Sequence, residues 1–255
     1  MAGEWGGAHG AGSVLVTGVP IDPFTERSLT DAVVDWTRGP GVHVAVGVNA
    51  HVCNLARRDP ELRDFLARSV TYADGQSVVW AARMLGGAIP ERLATTDIAL
   101  PVILAAADAG VPVYFLGAVD GVAEAAAERM RAQAPGVRLR SHHGYFSEQE
   151  TDRVLADIAA HGTGILFVGM GDPQQERWVQ RHLDRLPAVV LTCGGLFDWL
   201  SGANRRAPKW LIRGGLEWFW RLCIEPRRLA RRYLVGNPAF IAALLRQRLG
   251  FGTGF

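Results

Sequence analysis

Lysine is almost missing from this chain: Lys209 is the only one among 27 basic residues. Arginine carries every other positive charge, so an arginine alone is no sign of a phosphate ligand. Cysteine is also scarce. Cys53, Cys193 and Cys223 lie far apart, with no Cys-x-x-Cys pair and an odd total, which excludes a disulfide framework or a structural zinc site and fits a reducing cytoplasm. No long apolar run occurs. The longest, 98–107, is far short of the roughly 20 residues that a spanning helix needs. The start, MAGEWGGAHGAGS, is rich in glycine and lacks a basic stretch followed by an apolar one; residues 1–12 read as a flexible leader rather than a secretory signal. His-Glu-x-x-His, Gly-x-Ser-x-Gly and the phosphate-binding Gly-x-x-x-x-Gly-Lys-Ser/Thr are all absent.

What is present is unevenly distributed. Residues 205–255 hold 11 basic and two acidic residues, about +9, whereas residues 1–204 carry about −7. The near-neutral total hides this asymmetry. The basic segment also holds Trp210, Trp218, Phe219, Trp220, Tyr233, Phe240 and Phe251. Cations interleaved with large rings at helical spacing suit a phosphate-rich, partly apolar surface, such as an anionic membrane face. Arg221, Arg228 and Arg231 fall on one side of a helix if it continues past Pro226.

Apolar runs at 14–16, 42–48, 70–73, 111–116, 137–142, 164–168 and 188–193 read as strands. Helical patterns alternate with them at 29–37, 51–66, 77–85, 96–109, 121–133, 148–160 and 173–186. Near-continuous apolar strands separated by amphipathic helices predict an α/β fold: a Rossmann-like, mostly parallel sheet with helices on both faces. Ser147 with Glu150 reads as a capping box, and Gly110, Gly136 and Gly162 fall where helices should stop. From about 211 the chain reads as helix to 249, interrupted near Pro226 and at Gly236-Asn237-Pro238. The expected organisation is a leader (1–12), an α/β core (13–204) and a basic, aromatic helical C-terminal appendage (205–255).

In open α/β sheets, ligands bind beyond the carboxyl ends of the strands. Four polar clusters fall there: Asn49 with His51, Asp74 with Gly75, Gly169 through Gly171 and Gln175 to Glu176, and Gly194-Gly195 with Asp198. Taken singly, each reads as an ordinary turn or helix start. Four at one edge make a candidate site, with glycines that let backbone N–H groups approach phosphates. Gly169 and Gly171 lack the third glycine of a dinucleotide fingerprint. His142 and His143 are adjacent in a strand, point to opposite faces and cannot chelate together. No Asp-x-Asp occurs, which removes a common carboxylate pair for Mg²⁺ or Mn²⁺ on a diphosphate. No metal and no cofactor is expected; arginines and backbone amides would neutralise a diphosphate instead.

Eight ordered segments carry a resemblance: VNAHV (48–52), YADGQSVVWA (72–81), PERLATTD (90–97), HHGYF (142–146), FVGMGDPQQERW (167–178), GGLFDWLSG (194–202), RRAPKW (205–210) and LEWFWRLCIEPRRLARR (216–232). Over about 42–232 the chain resembles the bacterial WecG/TagA/CpsF glycosyltransferases. The resemblance implies an inverting, metal-independent transfer of a sugar, N-acetylmannosamine in the best-known members. The donor would be a UDP-sugar and the acceptor a polyprenyl-diphosphate-linked sugar, at the inner face of the cell membrane in cell-surface polysaccharide synthesis. It implies a peripheral, cytoplasmic enzyme, with a homo-oligomer left open. By the same resemblance Asp74 is the catalytic base, and Asn49 is a catalytic-site residue that helps hold substrate. Arg92, Asp97, Gln175 and Arg206 belong to the substrate set, and Arg221, Arg228 and Arg231 meet the lipid diphosphate or the leaving group.

Two positions depart from the family pattern. Gly47 stands where a threonine is common, so a hydroxyl near the base is expected to be missing. Thr95 stands where many members have glycine. Both departures motivate a second expectation, transfer to a soluble small-molecule acceptor. The charge asymmetry alone also permits a third reading, a Rossmann-type protein whose tail holds nucleic acid; the leading reading has no nucleic-acid partner.

Overall fold

A computed structural model describes residues 9–203, 208, 211, 217–224 and 226–250. Strands and helices alternate as β1 (Val14–Val16), β2 (Val19–Ile21), α1 (Glu26–Trp36), β3 (His43–Val48), α2 (Ala50–Ala56), α3 (Pro60–Arg68), β4 (Val70–Ala73), α4 (Gln76–Met84) and α5 (Thr95–Asp108). There follow β5 (Val113–Gly117), α6 (Val122–Gln133), β6 (Leu139–His142), α7 (Glu148–Ala160), β7 (Ile165–Gly169), α8 (Gln174–His182), β8 (Val189–Thr192) and α9 (Leu196–Leu200). The C-terminal segment adds α10 (Glu217–Ile224), α11 (Pro226–Ala230), a π-helical turn (Arg231–Val235) and α12 (Gly236–Arg248).

Six strands form one sheet in the order β4-β3-β8-β7-β5-β6, and every pairing is parallel. Strands β4, β5, β7 and β8 are buried along their whole length, as a sheet covered on both faces requires. One face packs against α2, α3, α4, α7, α8 and α12. The other packs against α1, α5, α6 and α9. The chain leaves β3 for α2 on the first face and leaves β8 for α9 on the second. These neighbouring strands therefore part at their carboxyl ends and open a crevice there.

Three expectations are corrected. Residues 14–16 do form a strand, but it pairs antiparallel with β2 in a separate hairpin and not in the main sheet. Its two-residue turn has positive φ at both Thr17 and Gly18, the geometry that suits the twist of paired strands. The helix expected over 51–66 is two helices. Pro60 opens α3, and the Asp59 side chain accepts from Leu62 N at 3.2 Å, so the chain is re-capped where a single helix was read. The interruption expected at Gly236-Asn237-Pro238 is instead the first turn of α12, where proline's missing N–H costs nothing. The irregularity lies just before it, in the π-helical turn.

Helix α12 is integrated into the core. Phe240 and Leu244 are buried in the same cluster as Val52 and Cys53 of α2, each contributing about 2 kcal/mol. Asn54 Nδ2 donates to Gly236 O at 2.7 Å. At the other end Gln247 accepts from Thr17 N and donates to Leu15 O, both at 2.7 Å, so the C-terminal helix ties down the N-terminal hairpin. Residues 1–8 of the leader lie outside the described residues; His9 Nδ1 sits 3.1 Å from Asp22 Oδ1. All three cysteines are free. Among the described residues no helix is long and apolar enough to cross a membrane.

Candidate active site

A cavity of about 760 Å³ opens at the carboxyl edge of the sheet, within the size range of small-molecule sites. Asp74 enters it from the end of β4. Its Oδ1 accepts from Thr95 N at 2.8 Å and from Thr95 Oγ1 at 3.3 Å. The carboxylate thus caps the first turn of α5, where free N–H groups favour an anion. Among the described residues its Oδ2 has only a long contact, 3.5 Å from Asn49 Nδ2, and so is the oxygen open to a proton.

Asn49 follows β3 and caps α2. Its Oδ1 accepts from His51 N at 3.0 Å and Val52 N at 3.3 Å, and from Arg232 Nη2 at 3.2 Å. These bonds fix which end of the amide faces Asp74. The two loops can approach because residue 75 has no side chain: a Cβ there would lie 3.0 Å from Asn49 Cβ.

The hydroxyl expected to be missing is supplied from the other departure. A Cβ on Gly47 would lie 3.0 Å from Thr95 Oγ1 and 3.1 Å from both Asp74 Cβ and Tyr72 Oη. The Thr95 hydroxyl fills that space, bonded to Asp74 and lying 3.2 Å from the Tyr72 hydroxyl. The absence at 47 and the presence at 95 are one packing arrangement, and a carboxylate–hydroxyl contact is retained.

The loops after β7 and β8 are joined by Gln175. Its Nε2 donates to Asp172 Oδ1 and Glu176 Oε1, both at 2.8 Å, and its Oε1 accepts from Gly194 N at 3.0 Å. Asp172, Gln175, Gly194 and Gly195 line the cavity. Glu176 does not; it is buried behind Gln175. Burial, then the neighbouring Asp172, pushes the Glu176 carboxyl up to about 8, so it is protonated at neutral pH. Burial also raises Asp172, against the opposing pull of Arg232. His51 lines the cavity, and burial followed by Arg232 pushes it down to about 4. Its imidazole is neutral at pH 7 and offers hydrogen bonding without charge.

The remaining predicted residues divide. Arg92 lines the cavity and pairs with Asp97 at 3.3 Å, while Asp97 stands behind it in the first turn of α5. Gly169 is needed for packing: a Cβ would lie 2.7 Å from Gly194 O. Gly171 has a left-handed φ of 84° and, like Asp198 in α9, is not part of the lining. Arg206 lies outside the described residues. Arg221 and Arg228 are in α10 and α11, their side chains outside the described ones. Arg231 is exposed and off the cavity wall. The neighbouring Arg232 lines it instead, in the π-helical turn Arg231–Val235. Arg232, Asp172 and Thr95 are the site residues that sequence reading missed. Asp172 lies within the segment 167–178 that carries the resemblance; nothing in the sequence distinguishes Arg232 from Arg231 as the residue that faces the cavity.

Residues 14–253 match the profile described as the glycosyl transferase WecG/TagA/CpsF family. The chain is similar to the N-acetylglucosaminyldiphosphoundecaprenol N-acetyl-beta-D-mannosaminyltransferase of Bacillus spizizenii, 33% identical, with 88% of each chain covered. The same-named protein of Bacillus subtilis is 27% identical, over 88% of this chain and 89% of the relative. That of Staphylococcus aureus is 29% identical, over 92% and 93%. With a parallel α/β sheet, a cavity at its carboxyl edge and a profile match along nearly the whole chain, this protein belongs to the WecG/TagA/CpsF family of glycosyltransferases.

Proposed function

We propose that this enzyme transfers an N-acetylmannosamine-like sugar from a UDP-sugar to a sugar carried on a polyprenyl diphosphate, with inversion and without a metal ion. The observation that carries this reading is the meeting of Asp74, Asn49 and Arg232 in one cavity. The acceptor hydroxyl gives its proton to Asp74 Oδ2 as its oxygen attacks the anomeric carbon. The bond from that carbon to the diphosphate oxygen breaks on the opposite side, and UDP leaves with the electron pair. Attack opposite the leaving group inverts the anomeric centre. Oδ2 suits this role because Thr95 occupies Oδ1 and orients the group. Arg232 and Arg92, both in the cavity lining, supply positive charge to the diphosphates. Neutral His51 and Gln175 offer hydrogen bonds to sugar hydroxyls.

In this reading residues 13–204 supply the base and most of the site, and the basic segment 205–255 adds Arg232 and brings the site to an anionic membrane face as a peripheral enzyme. The relatives' names specify the acceptor type. The soluble-acceptor reading loses its motive, since Thr95 restores the hydroxyl that Gly47 lacks. A UDP-release screen over sugar nucleotides, with a short-chain prenyl-diphosphate N-acetylglucosamine as acceptor, tests the proposal. UDP release that requires this acceptor, with a β-linked product from an α-linked donor, supports it. Release with no acceptor dependence, or a retained anomer, contradicts it.

A further inference from the structure

The cavity is mixed in character. Asp74, Asn49 and Arg232 line it together with a set of large apolar side chains. One wall is a face of α4, where Ser77, Trp80, Ala81 and Met84 line the cavity at helical spacing. The opposite wall comes from the C-terminal segment, with Leu234, Ile241 and Leu245. Trp80, Met84, Leu234, Ile241 and Leu245 are between 40% and 64% exposed. Large apolar side chains from two separate elements, left exposed and turned toward one trough, mark an interaction site. From Ser77 to Met84 the trough runs about 10 Å along α4.

We propose that this trough binds the first isoprene units of the lipid acceptor, a role that rests on the transfer reading given above. The order of chemistry along each wall is the argument. On one wall the apolar residues of α4 follow the Asp74 carboxylate, and on the other Leu234, Ile241 and Leu245 follow the Arg232 guanidinium. An acceptor of the type named for the relatives likewise has its sugar and diphosphate before its isoprenoid chain. Helix α4 starts just after Asp74, and the C-terminal residues follow Arg232. A chain held by its diphosphate at Arg232 therefore leaves between Trp80 and Ile241. The side chains face the cavity, which suits a single enclosed chain better than a flat bilayer surface.

The test compares N-acetylglucosamine diphosphate acceptors that end in a methyl group or in one, two or three isoprene units, all soluble without detergent. For the full-length enzyme, kcat/KM should rise with chain length by on the order of tenfold or more, as buried apolar area increases. Met84→Glu on one wall and Ile241→Glu on the other should each flatten that rise. Both positions are exposed, and the milder Leu245→Ser provides the comparison if a charged variant does not fold. A rise as steep in the variants as in the wild type overturns the trough. Turnover that ignores chain length in the wild type also overturns it and leaves the transfer reading intact. If length has no effect but vesicle flotation is lost in the variants, these side chains belong to a bilayer contact and the trough is wrong. Failure of every acceptor with every UDP-sugar removes the transfer reading, and this inference with it.

Discussion

Arg232 donates to Asn49 Oδ1 at 3.2 Å, joining the C-terminal segment to the N-cap of α2. The same asparagine faces Asp74 through Nδ2. A group from near the end of the chain is therefore one side chain away from the proposed base. In the proposed mechanism the guanidinium that meets the diphosphate is thus linked to the base through Asn49, whose Oδ1 is also held by His51 N and Val52 N.

This link sets the first prediction. Arg232→Gln should lower kcat/KM for transfer by about 100-fold, the scale of losing one charge-assisted contact to a developing anion. Arg231→Gln, on an exposed side chain off the cavity, should cost far less. Steady-state kinetics on the two single variants checks the order; equal losses would contradict the assignment of the inward position to Arg232.

The Gly47–Thr95 arrangement gives the second. Gly47→Ala puts a Cβ 3.0–3.1 Å from three atoms around the carboxylate, an overpacking that costs about 1–3 kcal/mol and displaces the base. Thr95→Val keeps the backbone donor to Asp74 but removes the hydroxyl. It should reduce kcat more than it raises KM, because substrate contacts remain. Combining Thr95→Gly with Gly47→Thr moves the hydroxyl to the other side of the same space and should recover more activity than either change alone. A double variant no better than its parents would show that the space is not shared.

A third prediction concerns pH and stability. Glu176 titrates near 8 in the folded protein, against an ordinary value of 4.5. The folded state therefore holds the extra proton, and stability falls as pH rises through that window. His51, lowered from 6.5 to about 4, acts with the opposite sign below 6.5, where the unfolded chain binds the extra proton. Above about pH 6.5 the His51 effect is spent; Asp172, which burial also raises, is common to wild type and a Glu176 variant, so their comparison isolates Glu176. Thermal melts of wild type and Glu176→Gln should diverge in that range, the variant gaining on the wild type as pH increases. Parallel curves would mean that Glu176 is ionised in the fold.

The legibility of the chain followed from how local each signal was. The parallel sheet was readable because strands buried on both faces leave uninterrupted apolar runs, as in β5 and β7. The capping box at α7 was readable because it is contained in four residues, and Glu150 accepts from Ser147 N at 2.7 Å. The start of α3 was missed although Asp59-Pro60 stood in plain view, since the apolar pattern on either side stayed in phase. Strand β2 is only three residues long and contains Pro20. Docking of α12 through Phe240 and the inward position of Arg232 on Asn49 both depend on contacts almost 200 residues away. Neither leaves a local signature. Asp74 and Asn49 were placed at the site by the resemblance and by strand-end position; their bonding through Thr95 and Arg232 belongs to the folded chain alone.

The central claim is that Asp74 Oδ2 receives the acceptor's proton. The most direct measurement pairs single-turnover transfer with calorimetric UDP-sugar binding for Asp74→Asn. Asparagine keeps an oxygen able to accept from Thr95, so the loop geometry should survive. The account predicts donor affinity within about threefold of wild type, with transfer reduced by 10²-fold or more, the scale of lost general-base catalysis. Transfer at the wild-type rate, with binding intact, would contradict it.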